Sequence, residues 1–87
     1  MHEAHLMRDL MHRIETVARE QNARRVSGVR VWLGALSHFS VEHFREHFED
    51  AAQGTIAAGA RVEATLSDDI RHPEAGGVVL ESIEVEG

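Results

Sequence analysis

The first quarter of the chain carries an apolar stripe whose members recur every three or four residues. The stripe consists of aliphatic and methionine side chains: Leu6, Met7, Leu10, Met11, Ile14, Val17 and Ala18. Arginine and carboxylate side chains occupy most of the opposite face. This period of about 3.6 residues predicts an amphipathic helix over residues 3–22, and Asn22 suits its C-terminal cap.

The period then shortens to two. In the stretch Val29-Arg30-Val31-Trp32-Leu33, apolar side chains alternate with residues of the opposite face, which predicts a strand over residues 27–35. Gly34 interrupts this strand. Trp32 is expected on the face opposite the valines, where it either packs under a second element or belongs to an interface. The pattern leaves both interpretations open.

A second helical pattern follows. Phe44 and Phe48 anchor an apolar stripe at helical spacing, which predicts a helix over residues 41–53. Ser40 has the side chain of an N-cap, because its hydroxyl can accept a hydrogen bond from the first turn. Gly54 tolerates the left-handed conformation that commonly ends a helix.

Two further alternating stretches predict strands over residues 60–67 and 78–86. The polar segment between them, residues 67–77, contains the only proline and a glycine pair, and it is predicted to be a loop. The apolar positions of the last strand change phase midway. We therefore expect a β-bulge near Glu81-Ser82.

The predicted elements follow the order α-β-α-β-β. This order favours an α+β fold in which two helices pack on one face of a small three-stranded sheet, with residues 1–87 forming a single domain. The side chains predicted to be buried between the layers are Leu6, Leu10, Ile14, Val17, Val29, Val31, Leu33, Phe44, Phe48, Val62 and Ile83.

Composition narrows the function classes. The 87 residues are 43% hydrophobic and 28% charged, which is typical of a globular chain, and the formal net charge of -6 argues against nucleic-acid binding. The absence of cysteine excludes disulfides, thiolate zinc sites and a cysteine nucleophile. No apolar run reaches membrane-spanning length and no signal peptide is visible. The expected location is therefore the cytoplasm, away from any membrane.

The first three residues, Met1-His2-Glu3, carry the most suggestive chemistry. Met1 is expected to be retained because a large residue follows it. Its α-amine, the His2 backbone nitrogen and the His2 imidazole can then close fused chelate rings on one ion. Such a planar, nitrogen-rich donor set suits Ni(II) or Cu(II) better than tetrahedral Zn(II). A histidine at position 2 is unspecific by itself.

Other histidines form two groups at helical spacing. His5, Asp9 and His12 share one face of the first predicted helix, and His43 and His47 lie one turn apart on the second. A solvated surface is the favoured interpretation of both groups, with a weak metal site left open. The second group lacks the glutamate of the HExxH zinc-protease motif. With no nucleophile constellation and no phosphate-binding glycine loop, the chain is not predicted to be an enzyme.

Six segments of the chain form a distinctive set. They are the Met1-His2-Glu3 start, the string Val29-Arg30-Val31-Trp32-Leu33-Gly34-Ala35-Leu36-Ser37, the helix with Phe44, Phe48 and Glu49, the pair Gly54-Thr55, the string Gly59-Ala60-Arg61-Val62, and Ile83-Glu84-Val85. Together they resemble one family, the HypA/HybF nickel metallochaperones of [NiFe]-hydrogenase maturation. The resemblance covers about residues 1–66 and the last ten or so.

The resemblance implies a nickel site at Met1, His2 and Glu3, with Ni(II) bound as cargo. It also implies a hydrogenase large subunit or a maturation GTPase as partner, and it leaves a homodimer open. The family carries a zinc domain with two CxxC pairs between its second and last strands, whereas this chain has only the loop 67–77 there. No structural zinc is therefore expected. His72 in that loop and His5 are weaker candidate ligands.

Two candidate functions, which belong to different classes, fit these observations. The first is a small nickel-binding accessory protein that serves the maturation of a nickel enzyme, with [NiFe]-hydrogenase as the favoured client. The alternative is a protein-interaction module that contacts a hydrogenase subunit or maturation factor, with metal binding incidental. In the alternative, Trp32 or the sheet edge would form the contact surface.

Overall fold

The computed structural model describes the backbone of residues 2–87 and the side chains of residues 4–87. It contains two helices and three strands in the predicted order α-β-α-β-β, which confirms the α+β fold. The elements are α1 (His2–Glu20), β1 (Arg25–Leu33), α2 (Val41–Ala52), β2 (Arg61–Leu66) and β3 (Val78–Glu86).

The sheet is mixed, and β1 lies at its centre in the order β2-β1-β3. Strand β2 runs parallel to β1, since α2 connects them as a crossover, whereas β3 runs antiparallel. Helix α1 packs on β3, α2 packs on β2, and the two helices contact each other. Both helices therefore cover one face of the sheet and bury the β1 valines beneath them.

Most of the predicted core is buried, but three of its members are only partly so: Leu6, Val17 and Ile83. On α1, the buried stripe is centred on Ile14, Met7 and Ala18. Leu6 and Val17 lie on its flank, because successive helical residues are about 100° apart. Ile83 lies on an edge strand, where only one neighbouring strand covers it.

Local signals in the sequence explain how both helices end. Asn22 adopts a left-handed conformation with φ 54°, and the Ala23 N–H donates to the Ala18 carbonyl at 2.9 Å, as in a Schellman motif. Ser40 is the predicted N-cap of α2, where its hydroxyl accepts from the His43 N–H at 3.0 Å. Gly54 follows the C-cap of α2 with φ 79°.

The predicted bulge lies in β3. Arg30 pairs with Ser82 and the next residue, Val31, pairs with Leu80, so Glu81 has no partner on β1. This extra residue explains why the apolar positions of β3 change phase.

The loop 67–77 lies against the turn that follows β1. The Gly34 N–H donates to the Gly77 carbonyl at 2.9 Å, and the Leu36 N–H donates to the Ala75 carbonyl at 2.7 Å. Ala75 is buried in this contact. The loop is thus joined to the rest of the fold by its own backbone. Within residues 2–87, neither helix is long and apolar enough to cross a membrane.

Candidate metal centre

The predicted nickel donors stand at the start of α1. Met1 lies outside the described residues, and so do the side chains of His2 and Glu3. The backbone of His2 and Glu3 forms the beginning of α1. The donor set itself therefore stays a prediction, and the structure describes what surrounds the first turn of the helix.

A groove between the helices begins beside that first turn. The α1 side contributes Ala4, Met7, Arg8 and Met11, and the α2 side contributes His47, Asp50 and Ala51. Ala4, the first residue whose side chain is described, therefore lies in one groove with the second half of α2. One imidazole and one carboxylate of α2 border this groove.

His43 and His47 converge on each other. Their Nε2 atoms are 2.8 Å apart and their ring centroids 4.5 Å, so one ring donates a hydrogen bond to the other. Both side chains are half-buried. The buried ring of Phe39 makes edge contacts with both, at centroid distances of 5.7 Å and 6.1 Å. The spacing in the sequence indicated that the pair shares a face, but it could not show that the ring nitrogens meet.

The first histidine group does not assemble in the same way. His5 Nε2 lies 3.3 Å from an Asp9 carboxylate oxygen, and each side chain is about two-thirds exposed, at 65% and 66%. An exposed ion pair of this kind contributes at most about 1 kcal/mol of stability. Among the described residues, no three histidine or carboxylate side chains are arranged to hold one ion. His5 thus contacts Asp9 on a solvated surface, and its role as a weaker ligand stays a prediction.

His72, in the loop 67–77, contacts Trp32 and the backbone of its own loop. Its ring centroid lies 4.5 Å from that of Trp32, and its Nδ1 accepts the Glu74 N–H at 2.9 Å. A neutral ring that accepts at Nδ1 carries its proton on Nε2. His72 therefore covers part of Trp32 on the outer face of the sheet, where Trp32 is half-buried.

The centre of the outer sheet face is charged. Arg30 lies 3.3 Å from a Glu63 oxygen, Arg61 lies 3.6 Å from the other, and Arg61 also contacts Glu84. All four side chains are at least half exposed. These exposed, paired charges make the middle of the outer sheet face a polar surface.

The chain has relatives among characterised proteins. A family model described as "Hydrogenase/urease nickel incorporation, metallochaperone, hypA" matches residues 1–70. This match starts at Met1-His2-Glu3 and ends inside the loop 67–77. Its description places the matched proteins among the metallochaperones, which carry metal ions to other proteins.

Individual relatives agree with the family match. Proteins named hydrogenase maturation factor HypA are similar in Methylocella silvestris (40% identity over 66 residues), Rhodopseudomonas palustris strain BisB5 (46% over 63) and Archaeoglobus fulgidus (35% over 72). The alignments cover 76%, 72% and 82% of this chain, but only 58%, 56% and 66% of those proteins. The chain belongs to the HypA family, and it spans just over half the length of the first two relatives.

Proposed function

We propose that the chain is a small nickel-binding accessory protein, which carries Ni(II) for the maturation of a nickel enzyme, with [NiFe]-hydrogenase as the favoured client. The observation that carries this proposal is the family match over residues 1–70, which includes Met1-His2-Glu3. The chemistry of these three residues agrees with it, because an α-amine, a backbone nitrogen and an imidazole form a planar nitrogen set.

The position of the donors at a helix start has an electrostatic consequence. The N-terminus of a helix carries a partial positive charge, which disfavours a bound cation. A deprotonated backbone amide and the Glu3 carboxylate supply the negative charge that offsets this effect. A site at the end of a helix has few anchors and is open to solvent, and both properties suit an ion that must be released to a partner.

The proposal also concerns the partner that receives the ion, the location of the protein and the absence of a structural zinc. The receiver of the ion is a hydrogenase large subunit or a maturation GTPase, the protein works in the cytoplasm, and it is not an enzyme. The loop 67–77 stands where the family's zinc domain would be inserted, so the fold needs no structural zinc. This expectation rests on the absence of cysteine.

Calorimetric nickel titration of protein with its native N-terminus tests the proposal. One residue added before Met1 converts the α-amine into an amide and leaves every side chain in place. His2→Ala removes the imidazole. Each change should abolish tight nickel binding at the N-terminal donors, whereas His5→Ala should have little effect. Equal nickel affinity in the native and extended proteins would contradict an amine-anchored site.

A second candidate function is a protein-interaction module. It is favoured by three large apolar side chains near the loop and the end of β1 that are largely exposed: Leu36 at 51%, Leu66 at 49% and Ile70 at 64%. Exposed apolar side chains of this size mark contact surfaces when they form a patch. If the nickel titration shows no binding that depends on the amine, this function replaces the first.

A further inference from the structure

We propose that His43 and His47 form a second metal site, which binds a divalent late transition-metal ion such as Ni(II), Cu(II) or Zn(II) independently of the N-terminal donors. Two histidines one helical turn apart supply two ligands from one face, as in the zinc helix of metalloproteases. The observation behind the proposal is the convergence of the two Nε2 atoms at 2.8 Å.

This distance is close to the one that a bound ion requires. Two imidazole nitrogens at about 2.0–2.1 Å from a metal, at right angles, are about 2.9 Å apart, and a tetrahedral angle gives about 3.4 Å. The two nitrogens share a hydrogen bond, so one Nε2 carries the proton. For an ion to bind, that ring places its proton on Nδ1 instead, and small rotations of the rings turn both Nε2 lone pairs toward the ion.

Phe39 restrains both rings. It is buried, with 4% of its surface exposed, and its ring contacts both imidazoles. Side chains held by packing lose less conformational entropy when they bind, which favours a preformed site. Both imidazoles are half-buried, so part of their surface is shielded from water.

The charge of α2 favours a cation. The N-terminus of the helix disfavours positive charge at His43, but four carboxylates on this helix outnumber its single arginine, Arg45. The carboxylates are those of Glu42, Glu46, Glu49 and Asp50. Asp50 also borders the groove with His47, one turn further along the helix.

His47 lies near the described beginning of α1. His47 lines the same groove as Ala4, the residue that follows Met1-His2-Glu3. An ion leaving the N-terminal donors would thus meet a second set of nitrogen ligands close by. This last step rests on the proposed function, whereas the existence of the second site does not.

The two sites can be separated by titrating nickel chloride into protein that carries one extra residue before Met1. This extended protein should still bind one ion. His43→Ala or His47→Ala in the extended protein should weaken that binding at least tenfold. His12→Ala, which removes an exposed imidazole of α1, should leave it unchanged. The native protein should bind two ions, and the native protein with both alanine substitutions should bind one.

Two further measurements guard against a folding artefact. Circular dichroism should show that each variant keeps the helical spectrum, and His47→Gln, which keeps a polar side chain of similar length, should lose the site as His47→Ala does. Nickel should also broaden the imidazole NMR signals of His43 and His47 in the extended protein.

Two outcomes would overturn the inference. The first is an extended protein that binds no ion, or that binds one with the same affinity after His43→Ala. The second is a single ion whose binding requires both the amine and the pair. Failure of the N-terminal site alone would look different, since native and extended proteins would then bind equally while the alanine variants still lost an ion.

Discussion

At the scale of single residues, His2 links nickel affinity to pH. Imidazoles in model peptides titrate near about pH 6.5, and protons also compete for the amine and the backbone amide. Nickel affinity at the N-terminal site should therefore fall steeply as the pH drops below that value. Titrations between about pH 5.5 and 8 would measure this dependence. His5→Ala should preserve the profile, and an affinity that is constant across the range would contradict the proposed donors.

Single residues also show what the spacing of residue types in the sequence cannot predict. The pattern of α1 identified Leu10 and Ile14 as core, but it counted Leu6 and Val17 equally, although they lie on the flank of the stripe and are half-buried. Likewise, the spacing of His43 and His47 is common on solvated helices. Only the rotamers, which Phe39 restrains, show that their ring nitrogens meet.

At the scale of elements, periodicity and caps identified all five helices and strands. The boundaries shifted by up to two residues. The phase change in β3 was enough to predict the bulge, because one unpaired residue, Glu81, moves every later side chain to the other face. The docking of the loop 67–77 was not predictable, since it depends on backbone contacts between distant segments and not on a side-chain pattern.

Gly34→Ala tests that docking. A Cβ at this position would overlap the carbonyl oxygen of Ala75, and a backbone atom cannot yield as a flexible side chain does. We expect the free energy of unfolding to fall by about 1–3 kcal/mol, as in other overpacked sites. The loop should also lift away, which would expose Trp32, the only tryptophan, and shift its emission to longer wavelengths.

Gly76→Ala is the matched control for this substitution. Gly76 lies in the same loop, and an added Cβ there would have no atom within 4 Å. Its urea unfolding curve and tryptophan emission should match those of the unmodified protein. If Gly34→Ala gave the same result, the loop would not depend on close contact with the end of β1.

At the scale of the whole molecule, the sequence predicted the layers but not the order of the strands. Element order and amphipathic stripes require that both helices cover one sheet face. The central position of β1 emerges only when the α2 crossover sets β2 parallel on one side and β3 closes the other. This arrangement places Ala4, near the start of α1, in one groove with His47 of α2.

The whole fold should be stable without metal. Its layers are joined by a continuous apolar core that includes the fully buried side chains of Ile14, Phe44 and Phe48, and the chain has no thiolate to bind zinc. A strong chelator should therefore leave the circular dichroism spectrum and the unfolding midpoint unchanged. The same chelator saturated with calcium is the control. Loss of the folded spectrum with free chelator alone would reveal a structural ion.

Nickel that is added after the chelator has been removed should raise the stability of the folded protein. A ligand that binds only the folded state raises its stability by about 2.7 kcal/mol at 100 times its Kd. The native protein should thus unfold at a higher temperature with nickel, and the extended protein should keep only the part due to His43 and His47. If nickel left the unfolding midpoint of both proteins unchanged, metal binding at either site would be contradicted, because an ion that binds the folded state must stabilise it.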